Sequence, residues 1–313
     1  MKIVTLNAGL LSLRLPFGLS KIEPAAWVEE RLAAIPSVLA ELDADVVCLQ
    51  EIYSQTHKKY IAQALAKVLP YAAYNQNAQL LRVLPDSLMV LSRYPMISEK
   101  FIRFRAGRWD EKLLDTKGFL SVDIPTSPLG SMRLVNAHTT AGLLEHPEHP
   151  RIDAVRKLQL EQLALYAGQT NKDQKSLIIG DLNCGPAVSD SDQIITPLQL
   201  KGGLCIEPSE RVSAANYQLL NTLGWRDSYR TLALKEQATW HPMRNPLNAG
   251  GDHASRGCPP QRIDHVWLRP EELRPIDGSV CFTEGSVTLP DGRCLPLSDH
   301  YGYWVNLEDA RSR

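Results

Sequence analysis

The chain has 313 residues, of which 44% are hydrophobic and 22% are charged, with 34 Lys and Arg against 35 Asp and Glu. This composition excludes an intrinsically disordered chain, a collagen-like repeat and a coiled coil. The balanced charge argues against a protein that binds duplex nucleic acid through many phosphates, because such proteins carry a basic excess. Six scattered cysteines without a CxxC pair predict free, mostly buried thiols and not a zinc cage or a disulfide framework.

The amino-terminal residues begin a buried strand and do not have the pattern of a targeting segment. The apolar stretch after Met1 is interrupted by Asn7, Arg14 and Pro16, and no small-residue cleavage pattern follows. No run of about 18 apolar residues is present either. We therefore expect no signal peptide and no spanning helix, and a cytoplasmic protein, with unconventional export or peripheral membrane association left open.

Short apolar runs alternate with helical patterns along the chain, which predicts layered α and β structure. The predicted strands cover 2–7, 46–50, 87–92, 118–124, 132–137, 176–180, 263–268 and 301–307, and the predicted helices cover 25–42, 57–69, 153–167 and 216–223. Pro24 suits the first turn of the first helix, and Pro36 predicts a kink or break within it. No linker or repeat divides the chain, so we expect one domain over 1–313. The irregular segment 232–260, rich in His, Pro, Gly and Asn, is predicted to be a functional loop.

Polar residues end or adjoin six of the apolar runs. Taken alone, each is typical of a turn or a helix cap. Six such groups at comparable places predict a polar pocket at one edge of a rigid scaffold. The residues concerned are Asn7, Glu51, Asn136 with His138, Asp181 with Asn183, Asp264, and Asp299 with His300.

The chemical types of these residues indicate a reaction. Carboxylates and carboxamides without thiols suit Mg²⁺ or Mn²⁺ and not zinc. Two histidines with carboxylate partners suit proton transfer near neutral pH. A hard metal together with His–Asp pairs is the equipment for hydrolysing a phosphate ester.

Seven short segments resemble the endonuclease/exonuclease/phosphatase superfamily, which has the deoxyribonuclease-I-like fold. They occur in the order of that family, between residues 6 and 300: Leu6-Asn7, Leu49-Gln50-Glu51, Leu91-Ser92-Arg93-Tyr94-Pro95, Asn136-Ala137-His138, Gly180-Asp181-Leu182-Asn183, Arg262-Ile263-Asp264 and Ser298-Asp299-His300. The resemblance implies an α/β fold, a four-layer sandwich of two mixed β-sheets packed face to face and flanked by helices.

The resemblance also implies a metal side of the site. Glu51 resembles the metal-binding glutamate, and Asp299 resembles a second carboxylate beside the metal. Asn7 is expected to contact the metal or the substrate phosphate, and Asn136 is expected to bind substrate. The cofactor expected from this set is Mg²⁺, with Mn²⁺ as the alternative.

The other matching residues resemble the groups that act on water and phosphate. His300 resembles the base that activates the attacking water, and Asp264 resembles the residue that orients His300. Asp181 and Asn183 look like the pair that orients the water and the scissile phosphate. His138 resembles the second histidine, which binds the phosphate and can protonate the leaving group.

Two further stretches are similar to the neutral sphingomyelinase branch of this superfamily. Asp115-Thr116-Lys117-Gly118 resembles a segment whose lysine lies near the substrate phosphate, although Lys117 is equally interpreted as a solvated strand-edge lysine. The second stretch consists of Trp240 and Asn245-Pro246-Leu247, which are similar to a segment of that branch. The implied function is a Mg²⁺-dependent phosphodiesterase of phospholipase C type that hydrolyses sphingomyelin or a related phospholipid.

The apolar segment 10–19 follows Asn7 and is expected either to contact a lipid surface or to fold into the core. Two other functions remain alternatives: a nuclease or inositide phosphatase of the same superfamily, and a non-catalytic binding scaffold. A nuclease or inositide phosphatase would carry a basic groove or pocket. The basic residues that could form one, interpreted here as a solvated face, are Arg82, Arg93, Arg103, Arg105 and Arg108.

Overall fold

The computed structural model of the protein describes residues 1–14, 21–76, 84–142, 149–188, 198–199, 205–206, 214–249 and 258–312. The helices in these ranges are α1 (Val28–Glu41), α2 (Gln55–Leu65), α3 (Trp109–Leu114), α4 (His149–Ala167), α5 (Ala214–Thr222) and α6 (Ser228–Thr231). The strands are β1 (Lys2–Asn7), β2 (Leu13–Arg14), β3 (Lys21–Ile22), β4 (Val46–Gln50), β5 (Tyr71–Ala73), β6 (Met89–Ser92), β7 (Ile97–Arg103), β8 (Gly118–Ile124), β9 (Met132–His138), β10 (Lys175–Asp181), β11 (Leu198–Gln199), β12 (Cys205–Ile206), β13 (Arg226–Asp227), β14 (Asp264–Arg269), β15 (Leu273–Cys281), β16 (Val287–Thr288), β17 (Cys294–Leu295) and β18 (Gly302–Asp309).

Two six-stranded sheets dominate the structure. The first has the strand order β15-β18-β1-β4-β6-β5, and the second has the order β13-β14-β10-β9-β8-β7. Each sheet is mixed, because β1 pairs in parallel with β4 and β9 pairs in parallel with β10, while their other neighbours are antiparallel. The carboxyl ends of β1 and β4, and those of β9 and β10, therefore each lie at a common edge.

Three apolar layers separate the sheets and helices. Ile3 of the first sheet and Leu134 of the second pack in one cluster between the sheets. Val4 packs with α1 and α2 on the outer face of the first sheet, and Val135 packs with α4 and α5 on the outer face of the second. The layers are thus helix, sheet, sheet and helix, which confirms the predicted four-layer α/β sandwich.

The first helix differs from its prediction at both prolines. Its first residue is Val28, after Trp27 in a left-handed conformation with φ 62°, so Pro24 lies before the helix and not in its first turn. The helix continues through Pro36 without a break. Pro36 is buried on the face that packs against the sheet, and this packing offsets the single backbone hydrogen bond that proline cannot make.

Two long strands, β7 and β15, were absent from the sequence prediction. β7 is an edge strand that is mostly exposed, with the sequence ISEKFIR, and it therefore lacks an apolar run. β15 is the edge strand of the other sheet and contains Pro275, where its pairing with β18 shifts register. Edge strands tolerate both features because only one side of the strand is paired.

Cys48, Cys184, Cys258, Cys281 and Cys294 are free thiols, three of them buried, as the sequence predicted for these five. Among the helices in the described part of the chain, none has the length and apolar character needed to cross a bilayer.

Candidate active site

Alternation along β1 explains how Asn7 reaches the space between the sheets. Successive side chains of a strand point to opposite faces. Ile3 packs between the sheets and Val4 packs under the helices, so Asn7, four residues after Ile3, belongs to the inter-sheet face. Glu51 follows the end of the parallel neighbour β4 and is brought to the same edge.

The second sheet supplies a row of three side chains. Asp264, Asp181 and His138 are direct register partners on β14, β10 and β9. Residues opposite each other in a sheet share a face, and Ile179, two residues before Asp181, packs between the sheets. The row therefore faces the first sheet at the edge where Asn7 and Glu51 emerge.

Asn7 joins two carboxylates across the gap. Its Nδ2 donates to Glu51 Oε1 at 3.0 Å and to Asp181 Oδ2 at 2.9 Å, and its Oδ1 accepts from Gly9 N at 3.1 Å. The amide nitrogen, and not the oxygen, thus faces the carboxylates. Asn7 therefore fixes the orientation of Glu51 and Asp181, and its side-chain oxygen does not face a metal that these carboxylates would bind.

Asp299 approaches this group from the loop before β18. Ser298 Oγ lies 2.6 Å from Asn7 O and 3.0 Å from Asp299 Oδ1, which ties the loop to the end of β1. Gly9 has a φ of 56°, and a Cβ atom there would lie 2.2 Å from Asp299 Oδ1. Only glycine leaves room for this carboxylate.

Several carboxyl groups lie close to one another where these residues meet. Burial and the charge of Asp299 raise the pKa of Glu51 from 4.5 to about 7. Burial and the charge of Asp264 raise the pKa of Asp181 from 3.8 to about 6. Glu51 also has a left-handed backbone with φ 58°, a strained conformation for a residue with a side chain. The fold thus holds the acids together against their repulsion.

His300 lies between two carboxylates. Its Nδ1 is 3.0 Å from Asp264 Oδ2, and its Nε2 is 3.9 Å from Asp181 Oδ2. Burial alone would lower the pKa of His300, but Asp264, Asp181 and Asp299 raise it well above its usual range. A histidine with one nitrogen fixed by a carboxylate is oriented for proton transfer through the other nitrogen.

His138 lies on the opposite side of Asp181 and is uncharged. Its Nε2 is 3.1 Å from Lys117 Nζ, 3.6 Å from Asp181 Oδ2 and 3.8 Å from Glu51 Oε1. Burial, then the positive charges of Lys117 and His300, lower the pKa of His138 well below its usual range. The Lys117 ammonium is therefore the donor in the Lys117–His138 contact, a pairing that the sequence did not predict.

Asn183 holds the Asp181 carboxylate in place through a backbone hydrogen bond. Its backbone N–H donates to Asp181 Oδ1 at 2.9 Å, and its Nδ2 donates to Thr139 O at 3.2 Å. Asn183 has a φ of 47°, a conformation that asparagine tolerates better than most residues. The two residues predicted as a pair do contact each other.

These side chains border a cavity of about 320 Å³. Of the predicted site residues, those that line it are Glu51, Lys117, His138, Asp181, Asn183, Asp299 and His300. Trp240, expected from the resemblance, also lines it. The lining residues that the sequence prediction did not assign to the site are Leu11, Pro24, Tyr53, Ala141, Gly142, Arg156, Cys258, Gln261 and Ile263. Arg156 lies on α4 and the others lie outside the named helices and strands, without a local pattern.

Asn136, predicted to bind substrate, is not brought to the cavity. It lies on the same face of β9 as His138 but two residues deeper, and it is fully buried. Its Nδ2 donates to Leu49 O at 2.9 Å and Met89 O at 3.0 Å, and its Oδ1 accepts from Gln50 Nε2 at 2.7 Å. Asn136 therefore joins the two sheets behind the site.

A buried arginine of α1, which the sequence analysis did not identify, supports the loop that carries Asp299. The guanidinium of Arg31 donates to five backbone carbonyls, those of Ala8, Gly9, Ala25, Ala26 and Leu297. These contacts hold the chain after β1 beside the loop that carries Asp299. Such a role depends on long-range contacts, which a local helical pattern does not encode.

The described part of the segment 232–260, residues 232–249 and 258–260, contacts the loops that carry the candidate site residues. The Thr239 hydroxyl accepts from the backbone N–H groups of Ile263 and Asp264, both at 3.0 Å. Asn245 Nδ2 donates to Ser298 O at 2.9 Å, and Asn248 Nδ2 donates to Asp299 O at 2.8 Å. The irregular segment thereby fixes both loops that carry His300 and its partner.

The apolar segment 10–19 is described only in part. Leu10 is buried in the core beneath α1, and Leu11 lines the cavity. Residues 15–20 lie outside the described residues. Leu10 therefore packs inward, residues 11–13 are half-buried, and the lipid-contact prediction stays a prediction.

The donor set fits a hard divalent cation. Glu51, His138 and Asp181 each offer one ligand atom within 4.8 Å of the others, and Asp299 faces the same group. Oxygen donors with raised pKa values, packed closely enough to repel, are the ligands that Mg²⁺ binds and neutralises. A cation here would replace the proton that burial otherwise favours on Glu51.

Comparisons with known proteins agree with the geometry. The profile of the endonuclease/exonuclease/phosphatase family matches residues 4–300. The chain is 25% identical over 284 residues to inositol phosphosphingolipids phospholipase C of Saccharomyces cerevisiae; the match covers 85% of this chain and 52% of that protein, so the chain spans about half the length of this relative.

Two solved structures share the fold. Sphingomyelinase C from Streptomyces griseocarneus has a TM-score of 0.68 with 18% identity, covering 97% of this chain and 98% of the other. A mutant of beta toxin from Staphylococcus aureus with bound magnesium ions has a TM-score of 0.69 with 17% identity, covering 97% and 98%.

Proposed function

The chain belongs to the endonuclease/exonuclease/phosphatase family, whose members are hydrolases acting on phosphodiester and phosphate groups, and we propose that it is a Mg²⁺-dependent phosphodiesterase of phospholipase C type. The proposed substrate is sphingomyelin or a related phospholipid. We further propose that residues 1–313 act as one catalytic domain, since both sheets supply residues to the same cavity.

A single observation carries this proposal: Asp181 has a histidine on each side, and an acidic cluster faces it. His300 with Asp264 lies on one side, and His138 with Lys117 lies on the other. Displacement at phosphorus places the attacking and leaving oxygens roughly in line, on opposite sides. A site with one proton-transfer group on each side matches that requirement.

The acidic cluster is the proposed metal site. Glu51 and Asp299 would hold the cation, with Asn7 fixing the orientation of Glu51 through their 3.0 Å hydrogen bond. When bound there, Mg²⁺ supplies positive charge that stabilises the developing charge on the phosphoryl oxygens and offsets the carboxylates that raise the pKa of His300.

His300 is the proposed general base. Asp264 holds its Nδ1, which leaves Nε2 on the side of Asp181 to accept a proton from the attacking water. Asp181 and Asn183 would orient that water and the scissile phosphate. Orientation and general-base catalysis together lower the barrier by restricting the water to a productive geometry.

His138 and Lys117 are proposed to act at the leaving-group side. The Lys117 ammonium would attract a phosphate oxygen. The anionic phosphate would favour the protonated form of His138, which would contact the phosphate and pass that proton to the departing oxygen. Asn136, which is saturated by backbone carbonyls and Gln50, is assigned the positioning of β9 against the first sheet.

The choice of a lipid substrate rests on the relatives. The yeast relative is named for phosphosphingolipids and the Streptomyces structure for sphingomyelin, while the near-neutral charge of this chain does not favour a nucleic acid. The apolar residues Leu11 and Pro24 at the cavity also suit a substrate with a lipid tail.

A release assay tests the proposal. Sphingomyelin, phosphatidylcholine, plasmid DNA and a phosphoinositide are compared at equal concentration, with Mg²⁺ and then with EDTA. We expect Mg²⁺-dependent phosphocholine release from sphingomyelin and intact DNA. The Asp181→Asn variant should be inactive, while Asp123→Asn, which removes a carboxylate outside the cavity, should match wild type. Nicked DNA or freed inorganic phosphate with unhydrolysed lipid would overturn the substrate assignment.

A further inference from the structure

Four of the most exposed large apolar side chains of the described residues lie on two helices beside the second sheet. Trp109 is 77% exposed, Leu165 is 68% exposed, Leu113 is 63% exposed and Leu158 is 54% exposed. Trp109 and Leu113 belong to α3, and the two other leucines belong to α4. We call these four side chains the α3–α4 face. Exposed apolar residues are common singly, but a cluster of them marks an interaction surface.

α3 and α4 form one continuous surface because the chain before α3 is bound to α4. The backbone N–H of Arg105 donates to Gln162 Oε1 at 2.8 Å, and Gln159 Nε2 donates to Ala106 O at 3.1 Å. A groove of about 750 Å³ runs between the two elements, with Leu158 and Leu165 on one wall. Arg105 and Lys112 form part of the opposite wall.

The acidic residues of α3 are held by other groups. Asp110 accepts from Arg108 Nε at 3.1 Å and Nη2 at 2.8 Å. Glu111 Oε2 accepts from the Arg108 backbone N–H at 3.2 Å and from the Thr140 hydroxyl at 2.7 Å. The groove itself carries Arg105, Lys112 and one acid, Glu161, whose Oε1 lies 4.0 Å from Lys157 Nζ. Apolar side chains beside basic residues suit an anionic lipid headgroup layer.

The topology places α3 at the same end of the sheet as the candidate active site. Arg103 at the end of β7 pairs with Gly118 at the start of β8, so the connection between these strands leaves the sheet at the end where His138 lies. Lys117, three residues after α3, lines the active-site cavity. A planar surface that α3 contacts would therefore lie next to the cavity.

We propose that the α3–α4 face docks on the surface of a phospholipid bilayer, with Trp109 and Leu113 entering the headgroup region and Arg105 and Lys112 meeting anionic headgroups. The inference rests on the proposed lipid substrate, and it identifies the surface through which the enzyme reaches that substrate. It also assigns a role to Arg105, one of the basic residues interpreted from the sequence as a solvated face.

Sedimentation with vesicles of phosphatidylcholine and phosphatidylserine tests the surface directly. The double variant Trp109→Ala, Leu113→Ala should bind at least about tenfold more weakly than wild type, because both side chains lose their burial in the interface. The matched control Leu223→Ala, Ile276→Ala removes apolar side chains that are 39% and 54% exposed elsewhere, and it should bind like wild type. Wild-type binding by the first variant, or no binding by wild type, would overturn the proposal.

Two additional readouts separate this proposal from its alternatives. Arg105→Glu should weaken binding to vesicles that contain phosphatidylserine and leave binding to pure phosphatidylcholine unchanged. Sedimentation velocity without vesicles should show the same mass for wild type and for the Trp109→Ala, Leu113→Ala variant; a dimer that this variant dissociates would make the face an interface between copies and overturn the proposal.

Activity distinguishes failure of the surface from failure of the proposed function. The Trp109→Ala, Leu113→Ala variant should hydrolyse a short-chain, monomeric sphingomyelin at the wild-type rate and lose rate only on vesicles. If no lipid is hydrolysed by wild type but vesicle binding depends on Trp109, the docking surface is supported and the substrate assignment is wrong.

Discussion

Two buried clusters of charged residues lie next to each other around the start of β14, and they differ in how their charges are balanced. Asp264 belongs to the candidate active site, and Arg262, two residues earlier, belongs to a second cluster. Arg262 Nη2 lies 2.8 Å from Asp227 Oδ2, and its Nε lies 2.8 Å from Glu236 Oε2. The Arg262 guanidinium also lies over the Tyr229 ring, 4.4 Å from its centroid.

The pKa values of the acids in the two clusters are shifted in opposite directions. In the Arg262 cluster, burial alone would raise the pKa of Asp227, but Arg262 lowers it below its usual value. In the active-site cluster, burial and neighbouring acids raise the pKa of Glu51 to about 7. The first cluster contains its own countercharge, so it is complete without a ligand. The second has an excess of acids, which indicates a group that must bind a cation.

The largest expected effect is on turnover and arises in the active-site cluster. His300→Ala should reduce kcat by about 10²–10⁴, the usual loss on removing a general base. The control is His57→Ala on α2, outside the cavity, which should retain wild-type kcat. Steady-state hydrolysis of sphingomyelin measures both variants, and an active His300→Ala enzyme would disprove the assignment of the base.

The next effect is on stability and arises in the Arg262 cluster. Arg262→Ala leaves the buried Asp227 without its cation and should lower the free energy of unfolding by about 3–5 kcal/mol. Arg93→Ala, which removes an exposed ion pair with Asp43, should cost at most about 1 kcal/mol. Urea denaturation compares the two variants. Equal stabilities would show that the Arg262 cluster is not the structural one.

The smallest effect is a pH dependence of stability in EDTA. Between about 4.5 and 7 the folded protein holds a proton on Glu51 that the unfolded chain has released, so stability attributable to Glu51 falls as pH rises. Glu51→Gln removes this loss. The advantage in unfolding free energy of Glu51→Gln over wild type should grow from pH 4.5 to 7 and then level off; an advantage independent of pH would contradict the acid-rich description.

The sequence was sufficient to predict the strands that lie in the middle of the sheets. The bounds of β1, β4 and β8 agree with the prediction to the residue, because each contains a short run of buried, mostly apolar residues. The edge strands β7 and β15 lack such a run, and only their pairing with β8 and β18 defines them.

For the site, the sequence predicted which residues meet but not how they are partnered. Asn136 and His138 end the same apolar run, yet the two-residue step places one between the sheets and the other in the cavity. The Lys117–His138 contact and the contacts of Arg31 with the carbonyls of Ala8, Gly9 and Leu297 join residues 21 or more positions apart. Such partners follow from the packing of the sheets, which local patterns do not contain.

The most direct test of the metal-dependent active site is the turnover of sphingomyelin in EDTA and during titration with Mg²⁺. Wild type, Glu51→Gln and Glu236→Gln are compared, because Glu51 belongs to the active-site cluster and Glu236 belongs to the Arg262 cluster. We predict that all three proteins are inactive in EDTA, that Mg²⁺ restores wild type and Glu236→Gln, and that Glu51→Gln recovers little or no turnover. Full turnover in EDTA, or equal recovery of Glu51→Gln, would contradict the proposed metal site.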